Sequence, residues 1–293
     1  MSESELGGLI IPAEIPRTWG ESAAISGTTL DGEQGFGIRI ARFPMRGTGN
    51  ISGHISLEKQ RLGFTSEGMA LTEYLGLTEV RSNDVHFRVA GDATADLHRT
   101  ALPDGRFRGE ARAQFRAHAV EHPPVGPGDV PVTIEAVFIA RHVPLYVRPG
   151  RMEVAGDVEA RFSTPAGKFE LKSHGKWHEQ IGDRPRFGPA FTYMSVHGQD
   201  SYLLAGRNTR ARYGFWEHRG QTVRVKEFEI EPLADRRKFV VTLEDGTTVE
   251  GEAVTMRSHS VPIEGQRRPG AFVVATTNRG ELSGQLNDWN PEP

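Results

Sequence analysis

The chain has 293 residues, no cysteine, and 35 Lys and Arg against 38 Asp and Glu, for a formal charge of −3. That balance argues against a nucleic-acid or anionic-membrane partner held by bulk electrostatics. The missing thiols exclude disulfides, thiolate zinc sites, iron–sulfur clusters and a Cys nucleophile. At roughly 150 residues per domain, the length suits two domains or one large β domain, and 25% charged with 37% hydrophobic residues is a globular composition. No stretch approaches the ~20 apolar residues that span a bilayer. The N-terminal MSESELGGLIIPAEIP has neither the basic n-region nor the apolar core of a secretory signal. The expectation is a soluble, cytoplasmic protein with no transmembrane segment, as a monomer or a homodimer.

Gly (34) and Pro (18) recur throughout the chain, which suits short strands joined by turns. In chain order, Phe36, Ile38 and Ile40 share one strand face, and Val85, Phe87 and Val89 share another. Ser66–Leu75, with Gly76 behind it, is the one helix-like stretch, short and weakly amphipathic. From Arg106 to Ala117 the even positions are Arg, Arg, Glu, Arg, Gln and Arg, and the odd ones Phe, Gly, Ala, Ala, Phe and Ala. This is a strand with one wet and one dry face, and its arginines read as a solvated face, not a nucleic-acid track. His122–Gly128 is a Pro/Gly loop, Val130–Ala140 resumes as a strand, and Pro144–Gly150 breaks again. A domain boundary near residue 145 follows, with 1–145 and 146–293 each predicted as a β-barrel or sandwich. After Val223 and Val225 the apolar parity shifts to Phe228 and Ile230, which predicts a bulge near Lys226–Glu227. Leu243-Glu-Asp-Gly-Thr247 carries a hairpin signal. The fold class is all-β.

The densest chemistry lies in Ser173-His174-Gly175-Lys176-Trp177-His178-Glu179-Gln180-Ile181-Gly182. His174 and His178, four apart, would share a helix face as in zincin motifs. The flanks are strand-like, however, and four residues of strand span about 13 Å, too far for one ion; no metal is expected. If Phe169 and Leu171 point inward, so do Ser173, Gly175, Trp177 and Glu179, while His174, Lys176, His178 and Gln180 point outward. An inward Glu179 beside Trp177 would have its pKa raised by desolvation, making it a proton donor. A bulge at Gly175 would instead bring His178 inside. Either residue could act as general acid or base, or the two could simply hydrogen-bond at a strand end.

Phe187–Met194 and Tyr213–Trp216 are rich in aromatics. These are core residues or, for Phe191, Tyr193 and Trp216 together with Trp177, the walls of a pocket for an apolar ligand. His197 and His218, next to glycine-containing turns, are expected to be exposed. Trp289 is expected at a strand end packed on the barrel. Trp19-Gly-Glu21 and Trp177-His-Glu179 share a W-x-E pattern, too short to establish a repeat. Neither a phosphate loop, a G-x-S-x-G elbow nor a dinucleotide fingerprint occurs, which disfavours kinases, α/β-hydrolases and Rossmann oxidoreductases.

Trp19-Gly-Glu-Ser22 followed by Gly35-Phe-Gly-Ile-Arg-Ile-Ala-Arg-Phe-Pro44 resembles the N-terminal half of the tandem lipocalin-like proteins. These include carotenoid 1,2-hydratase (hydroxyneurosporene synthase), AttH-like proteins and Diels–Alderases of related fold. His174–Gly182 stands where their C-terminal barrel has a G-x-x-[HD]-x-x-G-like segment. The resemblance spans most of the chain on diffuse patterning and short motifs. It implies two packed barrels of eight to ten strands that hold a hydrophobic small molecule and act without a cofactor on polyenes and terpenoids, by hydration, cyclisation or isomerisation. A neutral acid would protonate the alkene and aromatic faces would stabilise the cation. Trp177 with Glu179 or His178 could supply both; Asp183 and Asp200 are further candidate donors. Two functions follow: a cofactor-independent lyase or isomerase (hydratase, dehydratase or cyclase) of a terpenoid-like alkene with His178 and Glu179 transferring protons, or a non-catalytic lipocalin-like binder or carrier of an apolar ligand.

Overall fold

A computed structural model describes residues 14–70, 84–183, 190–263 and 266–289. Among them the chain is almost entirely β. The first sheet contains β1 (Trp19–Thr28), β2 (Gly35–Phe43), β3 (Thr48–Leu57), β4 (Gln60–Ala70), β5 (Asp84–Ala90), β6 (Thr94–Ala101), β7 (Phe107–Ala117), β8 (Val130–Ala140), β9 (Leu145–Arg148), β10 (Arg151–Thr164) and β11 (Gly167–Asp183). Its order is β4-β3-β2-β1-β11-β10-β8-β7-β6-β5, with β9 on the side of β10. Two bridges, Gly63 to His118 and Thr65 to Gly126, tie β4 to the connection after β7 and bring the sheet close to a barrel. The second sheet is a closed eight-stranded barrel of β12 (Phe191–His197), β13 (Ser201–Asn208), β14 (Arg212–His218), β15 (Gln221–Ile230), β16 (Arg236–Leu243), β17 (Thr248–Ile263), β18 (Gln266–Thr277) and β19 (Gly280–Trp289).

Period-two patterning accounts for most of these strands. β7 alternates buried and solvent-facing residues along its length, and Phe36, Ile38, Ile40, Val85, Phe87 and Val89 all enter the first core. The expected bulge in β15 is present, as the register with β16 shifts between Val225 and Glu227. Leu243–Thr247 is the expected hairpin: Gly246 takes φ 86°, a left-handed turn position that favours glycine, and Asp245 accepts from the Thr247 amide at 2.9 Å. Ser66–Ala70 belongs to β4; the remainder of the helix-like stretch lies outside the described residues.

The division between sheets falls after β11, not near residue 145. The Pro/Gly signal at 144–150 is a hairpin inside the first sheet, where β9 pairs β10, and β10 and β11 then complete that sheet against β8 and β1. A turn signal marks a reversal of the chain, not which sheet the next strand joins. The W-x-E echo has a similar explanation. β1 and β11 are antiparallel neighbours, with Ile25 opposite Trp177 and Ala23 opposite Glu179, so the motifs do not occupy equivalent places in two barrels.

Each sheet has its own core. Trp19, Ile25, Phe36, Phe107, Phe138 and Trp177 lie in the first; Met194, Leu203, Trp216, Phe228 and Leu286 lie in the second. A third cluster, with Val147 and Ala155 from the first sheet and Tyr193, Tyr202, Leu204 and Phe215 from the second, forms the seam between them. The seam therefore buries part of the outward face of both sheets. His197, expected to be exposed, is buried there and stacks on Tyr202 with centroids 4.5 Å apart, whereas His218 is exposed.

The seam also stacks His54 of β3 on His259 of β17, centroids 3.6 Å apart and 12° from parallel. Gln285 Nε2 donates to His54 Nε2 at 3.1 Å. Burial, with the charges of Arg268 and Lys176 added, pushes His54 down to about 3; burial and His54 itself depress His259. Unfolding releases such a ring to its ordinary value near 6.5, so below that pH the unfolded state binds the proton first and stability falls as the pH drops towards 3. The expected cost is about 1.4 kcal/mol for each pH unit per histidine. Urea unfolding should show the wild-type midpoint falling more steeply between pH 6.5 and 4.5 than that of His54→Leu; parallel slopes would refute the assignment.

Candidate functional site

The two sheets leave a cleft of about 1010 Å³ along the seam. β11 governs what enters it. Its register against both β1 and β10 runs without a break through Gly175, so no bulge reverses the strand. Glycine is required there by the neighbouring strand: a Cβ would lie 2.0 Å from the Ser26 carbonyl oxygen. The face carrying Leu171, Trp177 and Glu179 therefore points into the first barrel, and the opposite face, with Lys176, His178 and Gln180, lines the cleft.

Glu179 is not a free acid. Inside the first barrel it accepts from Arg99 Nε at 2.7 Å and Nη2 at 3.2 Å, and from Trp177 Nε1 at 2.8 Å. Trp177 packs against Phe107 and Phe138 in that core and does not line the cleft. Trp216 likewise belongs to the core of the second barrel. Asp183 sits at the cleft edge and accepts from the Thr18 hydroxyl, while Asp200 is exposed opposite Arg219. Of the residues expected from sequence, His178, Tyr193 and Phe191 line the cleft, and Phe191 stacks with Trp289.

Around His178 the structure assembles residues that sequence reasoning missed. Glu153 of β10 stands opposite His178 in the register, and its side chain has no solvent exposure. Its Oε1 accepts from His178 Nδ1 at 2.8 Å and from Arg151 Nε and Nη2 at 2.9 and 2.8 Å. Its Oε2 accepts from the Tyr193 hydroxyl at 3.1 Å. Lys176 Nζ donates to Tyr193 Oη at 2.6 Å and sits 4.1 Å from that ring's centroid. Arg151 also reaches Tyr213 Oη at 3.3 Å. Along β10 the residues Met152, Val154 and Val158 enter the core, so alternation alone marks Glu153 as outward and gives no sign that a second barrel covers it.

Electrostatics assign the protonation states. Burial pushes the Glu153 carboxyl up, but the charges of Arg151 and Lys176 and the hydrogen bond from His178 outweigh it and hold the group well below the ordinary carboxylate range. Burial drives His178 down to about 3, despite the opposing pull of Glu153. An ionised carboxylate only accepts, so Nδ1 carries the proton of the neutral imidazole and Nε2 keeps its lone pair. Among the described residues nothing bonds Nε2. Burial lowers Lys176 to about 7, with Glu153 partly opposing the shift, and raises Tyr193 well above its ordinary value. The cleft thus presents an oriented base beside a lysine poised near neutrality. Among the described residues no three His, Asp or Glu side chains converge on a metal-sized site.

The two-barrel architecture recurs in known structures. An AttH-like protein from Nitrosomonas europaea is similar over 96% of this chain and 98% of its own, with a TM-score of 0.63 at 12% identity. Kievitone hydratase from Nectria haematococca covers 94% and 91% with a TM-score of 0.56 at 9% identity. CghA covers 97% and 94% with a TM-score of 0.56 at 8% identity, and it has also been solved with Sch210972. The fold is the tandem lipocalin-like one. No protein-family model matches the chain, and no curated protein matches it. No helix among the described residues is long and apolar enough to cross a membrane.

The placement of Glu179 gives a test of stability. Removing its cation with Arg99→Met leaves a buried carboxylate without its guanidinium, which is expected to cost about 3–5 kcal/mol. Replacing both partners, with Arg99→Met and Glu179→Leu, should restore much of that. Denaturant midpoints of the single and double variants check this, and an Arg99→Met midpoint equal to wild type would refute it.

Proposed function

We propose that the protein is a lyase or isomerase that moves a proton on a hydrophobic alkene bound in the cleft between its barrels. The observation that carries the reading is His178, its Nδ1 held by the buried Glu153 at 2.8 Å, on the wall of a cleft large enough for a small organic molecule. A hydratase among the proteins of this fold supports the same class.

The residues narrow the chemistry. Protonating an isolated alkene needs a strong neutral acid, and the buried carboxyl lining this cleft is ionised. A base with a cation beside it suits an alkene conjugated to a carbonyl instead. His178 Nε2 takes a proton from water as the oxygen adds to the β-carbon, or from carbon in an isomerisation. Lys176, through its remaining N–H bonds, stabilises the negative charge that develops on the carbonyl oxygen. The α-carbon then takes up that proton from the imidazolium, which returns His178 to its neutral form, so hydration and dehydration are one reaction run in two directions. Glu153 positions the imidazole and does not itself exchange protons with the substrate, and Tyr193 links Lys176 to that carboxylate.

The test uses apolar enones and their β-hydroxyketones, followed by mass gain and by deuterium uptake from D₂O. His178→Ala is expected to lower kcat/KM by about 10²–10⁴ while affinity for the bound compound stays within a small factor. Binding by the wild type without turnover or exchange would establish the carrier reading instead. Lys176 must be protonated to act and loses its proton near pH 7, whereas His178 stays neutral down to about 3. The expected kcat/KM profile is therefore flat on the acid side and falls as the pH rises through about 7. Lys176→Met should be slower and lack this fall; a profile that rises through pH 7 would refute the assignment of Lys176.

A further inference from the structure

The charges along the cleft run against those of the chain. The protein as a whole carries −3, yet Arg39, Arg148, Arg151, Lys176, Arg210 and Arg268 line the cleft against three carboxylates. Of the carboxylates, Glu153 is paired with Arg151 and Asp183 accepts from Thr18.

Two of these arginines, Arg148 and Arg210, lie at hairpin ends on the edge of the cleft. Arg148 ends β9 directly opposite Arg151 in the hairpin register, and Arg151 is already satisfied by Glu153 and reaches Tyr213. Arg210 lies in the turn joining β13 to β14, its backbone amide bound by Asn208 Oδ1, three residues before Tyr213. Among the described residues the side chains of Arg148 and Arg210 have no ion-pair partner. Both arginines are solvent-exposed at the edge of the cleft. Beside these arginines the wall turns apolar. Phe191 is opposite Asn208 in β13 and opposite Trp289 in β19, and Val261 also lines the cleft. Cations without an ion-pair partner at the mouth of a cleft attract an anion, and a guanidinium fits a carboxylate through paired N–H donors.

We propose that the cleft takes an amphipathic organic acid, its carboxylate seated at the rim by Arg148 and Arg210 and its apolar body against Phe191 and Trp289. The proposal rests on reading this cleft as the ligand site, and it adds a substrate class to the reaction assigned there. It also gives the rim a purpose the chemistry does not require. A carboxylate remote from the reacting carbons fixes the orientation of the molecule and leaves His178 and Lys176 to act on its other end.

Fluorescence titration with an eleven-carbon dansylated fatty acid and with its methyl ester tests the proposal on the intact protein. The acid is expected to bind at least about tenfold more tightly than the ester, since a hydrogen bond to a charged group contributes about 1.5–3 kcal/mol. Arg148→Gln with Arg210→Gln should bring the acid to the ester's affinity and leave the ester unchanged. Equal affinities in the wild type, a preference that survives in the double variant, or no saturable binding of the acid would each overturn it. His178→Ala, which tests the reaction, should leave the acid's preference intact. A protein that prefers the acid but turns nothing over would therefore sink the enzyme reading alone. One that turns over enones and binds acid and ester alike would sink this inference alone.

Discussion

The site depends on one buried carboxylate. Glu153 has no solvent exposure and is surrounded by donors: Arg151 twice, His178 and Tyr193. An ion taken out of water is tolerated only with such compensation, so the three groups are held in one arrangement by the charge they satisfy. The donors come from both sheets, with Arg151 and His178 on the first and Tyr193 on the second. The carboxylate thereby fixes the tautomer of a histidine and fastens one barrel to the other. Removing it would loosen the seam and disorient the base together.

The first barrel contains a second buried carboxylate with a different outcome. Glu179 is two residues from Trp177 on the same strand face and is enclosed by Arg99 and the indole N–H. Beside it on the inner face, Glu21 and Arg42 form another pair, at 2.8 Å. These ions are paired inside the barrel, away from the cleft. Neighbouring positions of β11 thus serve two purposes, Glu179 inside the barrel and His178 in the seam, because successive side chains of a strand point to opposite faces.

The seam explains why so many polar groups outside the barrels are buried. Packing two sheets by their outward faces covers side chains that alternation marks as wet: His54, His178, Lys176, His197 and His259 among them. Each is held in its neutral form, or near the point of becoming neutral, because burial removes the water that would stabilise the charge. The reactive lysine and the acid-sensitive stacked histidines therefore have a common origin.

Much of the barrel-forming pattern could be read directly from the chain. The alternation of β7, the bulge at Lys226 and the hairpin at Asp245-Gly246 all follow from local geometry, since a strand's side-chain period is two whatever surrounds it, whereas the faces of residues 173–182 waited on the unbroken register through Gly175. The sheet to which β10 and β11 belong could not be read, because a turn signal does not name the strand's next partner. Nor could the value of Glu153 and Lys176 as site residues. Their strands mark them as outward, and only the approach of the second barrel turns outward into buried. The sequence by itself determined the all-β class and which side chains share a face. The tertiary structure alone decided which face would lie against water and which against another barrel, because that depends on contacts between strands far apart in the chain, and burial is what converts an ordinary His–Glu pair into an oriented base.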